Sequence, residues 1–356
     1  MKNIYEEIEQ YVAGGETVAA ATVVSTQGST PREAGAKMVV RPSGDIVGTI
    51  GGGCGEAEVW QEAMYAIRDG RRRTVRIDLT GDVTLDTEMV CGGVMSIFVD
   101  LWEEREAEFL ATINRAFKGR RKVALATPLS TDQARLRRLV LPDGHTVGTL
   151  GDDKTDALIT SQALEALAQG ASRVVSSPRE GSDVFIEVQV SPPTLLIAGG
   201  GHIAVPLTKM GTMLGFKMVV VDDRPAFANR ERFPDADEVL AADFGEALAN
   251  YPLDEQTYVA IMTRGHAHDM ECLLQVVDAP VAYIGMIGSR RRVRGVLDLV
   301  KEEGCSEELL ARVHAPIGLD IGAQTPEEIA LSVLAEVVKA RRGGTGRSMS
   351  HRGVGS

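Results

Sequence analysis

The sequence has few cysteines and no closely spaced pair of them. Its 356 residues include four, Cys54, Cys91, Cys272 and Cys305, and none belongs to a C-x-x-C pair. A chain of this length can bury cores large enough to fold without disulfides, so we expect four reduced thiols. The short paired spacing of a structural zinc site is also missing.

Long apolar runs and a basic surface are missing as well. No apolar run approaches the length of a membrane span, and the acidic N-terminal stretch lacks the apolar core of a signal peptide. The formal net charge of -12, without a basic stripe containing aromatics, argues against nucleic acid and anionic lipid as partners. We therefore expect a cytoplasmic protein that binds neither nucleic acid nor membrane.

The length and composition predict a globular protein of more than one domain. A Pro-Pro break at Pro192 and Pro193 separates two kinds of pattern. We predict an N-terminal domain over 1–190, a nucleotide-binding domain over 191–342 and a flexible tail over 343–356, which lacks apolar residues for packing.

The N-terminal domain contains a degenerate internal repeat. VVRPSGDIVGTIGG, which begins at Val39, returns as LVLPDGHTVGTLGD, which begins at Leu139, 100 positions later. The preceding strands VAAATVVS and VALATPLS also correspond. The pattern predicts an α+β domain of two copies, about 17–80 and 122–178, each with a strand, a hairpin and a helix.

The two copies differ at two loops. The first has TQGSTPREAGAK where the second has the shorter TDQARLR, and GGGCGE where the second has GDDKTD. We interpret Gly28–Gly35 and Gly51–Gly55 as functional loops added to a duplicated scaffold. The alternative is drift after duplication.

The two cysteines of this domain are both flanked by glycines. Cys54 precedes a helical pattern that ends at Gly70, and a thiol at a helix N-terminus is favoured as thiolate, beside amides that can bind an anion. Cys91 precedes Gly92 and Gly93 at the start of a strand. Either the two thiols share a pocket, or Cys91 is a small buried hydrophobic residue.

The C-terminal half predicts a Rossmann-type, doubly wound parallel sheet. TLLIAGGGHIAVPLTKMGTMLGFKMVVVDD has a strand, the G-x-G-x-x-A turn of Gly199, Gly201 and Ala204, a helix and a second strand. Asp222 follows at the end of that strand, where an acid binds a ribose hydroxyl. Arg224 could instead accept a 2′-phosphate, so the choice between NAD and NADP stays open. Thr325 and Glu328 predict a capping box for the last helix.

Several polar residues are expected at the ligand-binding edge of this sheet. They are His202, Asp222, Arg264, His266, His268, Asp269 and Ser289. We interpret the two loop histidines as hydrogen-bonding groups rather than metal ligands. The basic run GSRRRVRG suits either phosphate contact or a solvated helix face.

Long motifs of this sequence resemble those of the xanthine dehydrogenase accessory factors of the XdhC/CoxI type. They are GSTPREAGAKM, GTIGGGCGE, CGG, LLIAGGGHIA, VDDRPAFANRERFPDA, YIGMIGSRRR and HAPIGLDIGAQTPEEIALSVLAE. The resemblance implies a protein that binds the molybdenum cofactor, a pterin with a dithiolene and a phosphate. It also implies help with sulfuration by a cysteine desulfurase and delivery to an apo molybdenum hydroxylase.

On this reading Cys54 and Cys91 are the reactive candidates, and Cys54 is a candidate ligand of the cofactor molybdenum. The candidate cofactor-binding residues are Gly51, Gly52, Gly53, Gly55, Arg32, Gly199, Gly201, His202, Ile203, Asp222, Asp223, Arg264, His266, Ser289 and Arg290. We expect a homodimer and an accessory protein rather than an enzyme, with NAD(P) or another nucleotide at the Rossmann domain. The alternatives are an NAD(P)-dependent oxidoreductase and a redox or ligand sensor.

Overall fold

The computed structural model of the chain describes residues 4–79, 92–118, 122–131, 136–177 and 183–351. The chain divides into two compact units, Lys2–Ser191 and Pro192–Ser356. Each unit has its own sheets and its own hydrophobic cores.

The N-terminal unit contains two copies of one arrangement, in which a helix precedes three strands, a second helix and two more strands. The first copy consists of α1 (Ile4–Ala13), β1 (Val18–Gln27), β2 (Lys37–Val40), β3 (Ile46–Gly48), α2 (Gly53–Asp69), β4 (Arg73–Asp78) and β5 (Val94–Trp102). The second copy consists of α3 (Ala107–Lys118), β6 (Val123–Pro128), β7 (Arg137–Val140), β8 (Thr146–Thr149), α4 (Asp153–Gln169), β9 (Arg173–Val175) and β10 (Val184–Gln189).

The two antiparallel sheets of this unit have corresponding strand orders, β3-β2-β1-β5-β4 and β8-β7-β6-β10-β9. The predicted internal repeat is therefore confirmed. Each copy also includes a leading helix and a final strand outside the sequence match, because these elements keep the topology while their sequences have diverged.

Each sheet of the N-terminal unit is covered on both faces, which explains why the buried part of its central strand is mainly apolar. In β1, Ala19, Ala21 and Val23 pack in the core beneath α2, whereas Val18 and Ala20 belong to the core between the two copies. Successive side chains of a strand point to opposite faces, so a strand covered on both sides favours apolar residues at successive positions. The core between the copies also includes apolar residues of α1 and α3.

Buried ion pairs join the two copies reciprocally. Lys37 Nζ of β2 lies 3.1 Å from Glu187 Oε2 of β10, and Arg137 Nη2 of β7 lies 2.8 Å from Asp100 Oδ2 of β5. The two bases stand at corresponding repeat positions, and each acid lies on the fifth strand of its copy. Reciprocal contacts of this kind are those that a twofold relation between two like surfaces produces.

The C-terminal unit alternates strands and helices. Its elements are β11 (Thr194–Ala198), α5 (Ala204–Met213), β12 (Lys217–Asp222), β13 (Glu238–Ala241), α6 (Phe244–Asn250), β14 (Thr257–Ile261), α7 (His266–Val276), β15 (Tyr283–Met286), α8 (Arg290–Glu302), α9 (Glu307–Leu310), β16 (Val313–His314) and α10 (Pro326–Arg342). The parallel six-stranded sheet has the order β13-β12-β11-β14-β15-β16. The predicted doubly wound sheet is confirmed.

Helices cover both faces of this sheet, because its buried strands are apolar on both sides. Residues of α5 and α10 belong to one core, and residues of α6, α7 and α8 belong to the other. Helix α10 begins with the predicted capping box, in which Thr325 and Glu328 exchange hydrogen bonds. The strand order reverses between β11 and β14, and ligands of such sheets bind beyond the carboxyl ends of the strands at this point.

Candidate functional site

Three motifs of the first copy meet at one loop. Residues 28–36, which follow β1, belong to the insertion that the second copy lacks. A Cβ atom on Gly93 would lie 2.4 Å from Ser29 O, and one on Gly51 would lie 2.6 Å from Pro31 Cγ. The insertion loop therefore contacts both the GTIGGGCGE segment and the CGG motif. Neither contact leaves room for a side chain, which explains the glycines at these two positions.

The N-cap residue of helix α2 is a glycine, which has no side chain to accept a hydrogen bond from the first helical amides. Gly52 holds the N-cap position with φ of 79°, and a Cβ atom there would meet no atom within 4 Å. In the second copy Asp152 holds this position, and its Oδ1 accepts a hydrogen bond from Thr155 N at 2.9 Å. The start of a helix combines amide donors with the positive end of the helix dipole, which suits an anion. The first copy leaves open the position that a carboxylate fills in the second.

Glu56 holds the glycine loop against the start of α2. Its Oε2 accepts hydrogen bonds from Thr49 Oγ1 at 2.7 Å, Ile50 N at 3.1 Å and Gly52 N at 3.0 Å. Partial burial by itself would raise the pKa of Glu56, but these donors lower it below its ordinary value. Asp156 accepts the corresponding backbone hydrogen bond in the second copy. The loop-closing carboxylate therefore belongs to the scaffold that both copies share.

Three of the other residues predicted for this region form the first turn of α2. Gly53, Cys54 and Gly55 are the first three residues of the helix. Gly53 is exposed, Gly55 is buried, and Arg32 is exposed on the insertion loop. Cys91 lies outside the described residues. The roles assigned to these residues stay predictions.

The three glycines after β11 meet different constraints. Gly199 has φ of 121°, and a Cβ atom on it would lie 2.3 Å from Met262 O. A Cβ atom on Gly200 would lie 2.4 Å from Phe227 O, whereas one on Gly201 would meet no atom within 4 Å. The fold requires the first two glycines. Gly201 faces open space, at the fingerprint position where the main chain of a Rossmann fold approaches a pyrophosphate.

Asp222 lies at the carboxyl end of β12 and is 1% exposed. Its carboxylate accepts hydrogen bonds from Gly200 N at 2.8 Å and from Arg224 N, Nε and Nη2 at 3.0, 2.8 and 3.0 Å. Burial by itself would raise the pKa of Asp222, but Arg224 and the Gly200 amide lower it. Since a carboxylate offers about four acceptor positions, the protein itself uses the whole capacity of this group.

Two further acids at this edge also pair with arginines. Arg264, which follows β14, donates from Nη2 to Asp223 Oδ2 at 2.7 Å, and this contact lowers the pKa of Asp223 to about 2. Asp269 of α7 is fully buried and accepts hydrogen bonds from Thr263 Oγ1 at 2.6 Å and Arg292 Nε at 2.8 Å. The predicted edge residues thus include acids that stabilise the loops through ion pairs.

The prediction that His266 and His268 lie on a loop is wrong. Both belong to the first turn of α7, because the extended backbone of Gly265 provides the N-cap and the helix begins directly after it. His266 is exposed, and His268 Nδ1 lies 3.4 Å from Glu271 Oε2.

The remaining predicted residues of the Rossmann unit stand at or before the starts of helices. His202 is exposed and Ile203 is half-buried directly before α5. Ser289 caps α8 by accepting a hydrogen bond from Arg292 N at 3.2 Å, and Arg290 is exposed on the first turn. Their contacts to a ligand stay predictions.

Sequence reasoning missed the side chains that surround the glycine turn. Arg232 Nη2 donates to Gly200 O at 3.1 Å, and the Arg224 guanidinium stacks on the Phe227 ring at 3.7 Å from its centroid. The motif VDDRPAFANRERF carries these residues, so a signal was present in the sequence. No signal in the sequence indicates the pairing of Arg292 with Asp269, because these residues lie on different helices.

Neither a membrane span nor a cluster of metal-binding side chains is present among the described residues. No helix among the described residues is long and apolar enough to cross a membrane. Within the same ranges, no group of three or more His, Cys, Asp and Glu side chains is arranged to hold a metal ion. Cys272 is a buried free thiol whose pKa is raised by burial, and Cys305 is a half-buried free thiol.

The fold and these two loops define a class of α/β protein in which a duplicated α+β unit accompanies a Rossmann-type unit. Comparison with known families gives the same result. Residues 11–78 match the XdhC and CoxI family, and residues 195–337 match the XdhC Rossmann domain. The chain belongs to the XdhC and CoxI family, which confirms the resemblance seen in its motifs.

Three relatives show how far the similarity extends. The uncharacterized protein YqeB of Escherichia coli strain K12 is 34% identical over 62% of this chain, which spans 43% of the length of YqeB. A Bacillus subtilis strain 168 protein, described as a probable xanthine dehydrogenase subunit, is 25% identical over 96% of this chain and 98% of its own length. The molybdenum cofactor insertion chaperone PaoD of Escherichia coli strain K12 is 25% identical over 92% of this chain and 84% of its own length.

A solved structure shares the arrangement. The crystal structure of a protein described as a xanthine dehydrogenase from Bacillus halodurans has a TM-score of 0.79 with this chain. The match covers 98% of this chain and 97% of the other at 25% identity.

Proposed function

We propose that this chain is a maturation factor that binds the molybdenum cofactor, holds it during sulfuration and delivers it to a xanthine dehydrogenase-type molybdenum hydroxylase. Family membership and the similarity to PaoD, named as a molybdenum cofactor insertion chaperone, support the proposal. The observation that carries it is the difference between the copies. Gly52 leaves open the helix start that Asp152 fills in the second copy.

The first-copy loop suits a flat, anionic guest. Gly51, Gly52 and Gly53 present main chain without side chains, and amides at the start of α2 would bind a phosphate. Arg32, exposed on the adjoining loop, would add a charge-assisted hydrogen bond. The cofactor would supply its dithiolene-bound molybdenum, and Cys54 is the residue that we propose to meet it or to carry sulfur.

The partners follow from this role. A cysteine desulfurase would supply sulfur for the cofactor that this chain holds, and the chain would then release the cofactor to an apo molybdenum hydroxylase. We propose that it acts as a homodimer in the cytoplasm and that its part in sulfuration is to hold the cofactor while the desulfurase supplies the sulfur.

Replacing Cys54 by alanine should abolish retention of the molybdenum cofactor while leaving the fold intact. The measurement is molybdenum and pterin content of protein purified from a cofactor-producing strain, together with activation of the client hydroxylase. Cys305→Ala is the matched control, because it removes a half-buried free thiol of the other unit and should change neither quantity. Full cofactor content and client activity in Cys54→Ala would refute the proposed role.

The Rossmann unit carries a second part of the proposal, the binding of a dinucleotide. The support is Gly201, which faces open space where a pyrophosphate would approach, beside the amides at the start of α5. The acids Asp222, Asp223 and Asp269 all pair with arginines, which favours ligand binding over proton transfer by these groups. An oxidoreductase is the competing function, and substrate-dependent change in reduced-nicotinamide absorbance with steady turnover would favour it.

Alanine substitutions in the glycine turn should separate binding from folding. Gly201→Ala should change the free energy of unfolding by no more than about 1 kcal/mol, because the added methyl meets open space. It should weaken dinucleotide binding. Gly199→Ala should destabilise the unit by about 1–3 kcal/mol, because its methyl would overlap Met262 O. Circular dichroism during urea unfolding and titration calorimetry measure the two effects, and equal destabilisation by both variants would contradict the assignment.

A further inference from the structure

The adenosine end of a dinucleotide would lie at the carboxyl end of β12. In Rossmann folds an acid at this position accepts hydrogen bonds from the free ribose hydroxyls. Asp222 stands there, but its four acceptor positions are filled by Gly200 N and by three donors of Arg224. A ribose hydroxyl would therefore find no free acceptor on this carboxylate.

Arg224 offers a donor at the same place. Its Nε and Nη2 bind Asp222, its guanidinium stacks on Phe227, and its side chain is 34% exposed. Nη1 of Arg224 makes no hydrogen bond to any residue that the structure describes. The bidentate contact and the stacking hold the guanidinium in place, so this donor is oriented before a ligand arrives.

Further arginines surround this position. Asp223 lies between two of them, since its Oδ1 is 3.9 Å from Arg224 Nε and its Oδ2 is 2.7 Å from Arg264 Nη2. The Arg232 guanidinium lies 5.1 Å from the centroid of the Phe227 ring, and its buried Nε has no hydrogen-bond partner among the described residues. Three arginines against two aspartates leave a local excess of positive charge and donors.

We propose that the Rossmann unit binds a dinucleotide whose adenosine ribose carries a 2′-phosphate, NADP(H) rather than NAD(H). A phosphate is an acceptor and suits Arg224, whereas a free ribose diol needs the acceptor that Asp222 no longer provides. The inference rests on the proposed dinucleotide site and is independent of the molybdenum cofactor assignment.

Titration of the full-length protein with NADPH and NADH tests the preference. NADPH should bind about tenfold more tightly or better, the ratio expected from one charge-assisted hydrogen bond at a partly exposed site. As competitors, 2′,5′-ADP should displace NADPH, while 5′-AMP and 3′,5′-ADP should displace it much less. This series separates a 2′-phosphate from a 3′-phosphate and from adenosine alone.

Arg224→Ala should reverse the preference for NADPH over NADH. It removes the hydrogen-bond donor to the 2′-phosphate and frees the Asp222 carboxylate to accept hydrogen bonds from ribose hydroxyls. NADPH affinity should fall about tenfold and NADH affinity should rise. Arg264→Ala is the charge-matched control: it also removes one arginine but leaves Asp222 covered, so NADH affinity should not rise. If thermal melts show that Arg224→Ala does not fold, Arg224→Gln keeps a donor for Asp222 and should still lose the preference for NADPH.

Other binding results would contradict the 2′-phosphate preference, the dinucleotide site or the role of Arg224 separately. Equal affinities, or tighter NADH binding by the unaltered protein, would overturn the 2′-phosphate assignment and leave the dinucleotide site standing. Binding of neither nucleotide would overturn both. An unchanged NADPH preference in folded Arg224→Ala would remove Arg224 from the recognition of the phosphate. Molybdenum cofactor content, measured on the same preparations, reports on the other proposal separately.

Discussion

Asp100→Ala is expected to lower the free energy of unfolding of the N-terminal unit by about 3–5 kcal/mol, because it removes a carboxylate that pairs with two buried arginines, although Arg137 Nη1 keeps its contact of 3.1 Å with Glu106 Oε1. Asp100 Oδ1 lies 2.7 Å from Arg72 Nε, and its Oδ2 lies 2.8 Å from Arg137 Nη2. All three side chains are buried. The loss would therefore be much larger than that of an exposed pair. Urea unfolding monitored by tryptophan fluorescence measures it, since both tryptophans, Trp60 and Trp102, belong to this unit.

The control for this experiment is an exposed ion pair of the same unit. Glu165→Ala removes the acidic partner of Arg173, and this exposed contact of 3.1 Å should contribute less than about 0.5 kcal/mol. If Asp100→Ala costs no more than Glu165→Ala, the buried network does not stabilise the unit.

The effect of Asp100 should also depend on pH. Burial alone would raise the pKa of Asp100, but Arg137 and Arg72 lower it below its ordinary value. A carboxyl with a lowered folded-state pKa stabilises the protein above its unfolded pKa of about 3.9 and loses that contribution as pH falls through the folded pKa. The difference between the unaltered protein and the variant should thus shrink below about pH 4.

Exchanging the start of α2 for that of α4 is expected to reduce molybdenum cofactor binding to background. The variant replaces residues 52–55, Gly-Gly-Cys-Gly, by Asp-Asp-Lys-Thr, the residues at 152–155, and keeps Glu56 to close the loop. The new aspartate would cap the helix as Asp152 does and would occupy the proposed anion position. Folding should persist because the second copy uses these residues in the same topology.

The reciprocal exchange is the matched control. Putting Gly-Gly-Cys-Gly at 152–155 removes the side-chain cap of α4 and places two glycines in its first turn, which together should cost about 1–2 kcal/mol, and it leaves the first-copy loop untouched. Cofactor content should remain normal in this variant and disappear in the first. Normal content in both would indicate that the loops diverged by drift and do not form the site.

Much of the fold could be predicted because its signals are local or repeated. The 100-residue spacing between the two GT-containing segments shows the duplication directly. The glycine turn after Ala198 and the acid at Asp222 lie within one strand-helix-strand segment, whose pattern is set by hydrophobic periodicity and by the sharp turn. These features need no knowledge of distant parts of the chain.

The candidate site was only partly predictable. The sequence placed Asp222 correctly at the end of its strand and left the choice between NAD and NADP open, because the hydrogen bonds from Arg224 to Asp222 depend on side-chain geometry. The contact of the insertion loop with Gly93 was also invisible in the sequence. It joins backbone segments that are more than sixty residues apart, and glycine marks a close approach without naming its partner.

Local sequence patterns specify a duplicated α+β unit, a Rossmann-type unit and the glycine-flanked position of Cys54, because turns, caps and hydrophobic periodicity are properties of neighbouring residues. Which charges compensate one another depends on the packing of distant segments. Lys37 meets Glu187, Arg137 meets Asp100 and Arg292 meets Asp269 because sheets and helices bring them into contact. A buried charge needs a partner in space, and sequence distance does not restrict where that partner lies.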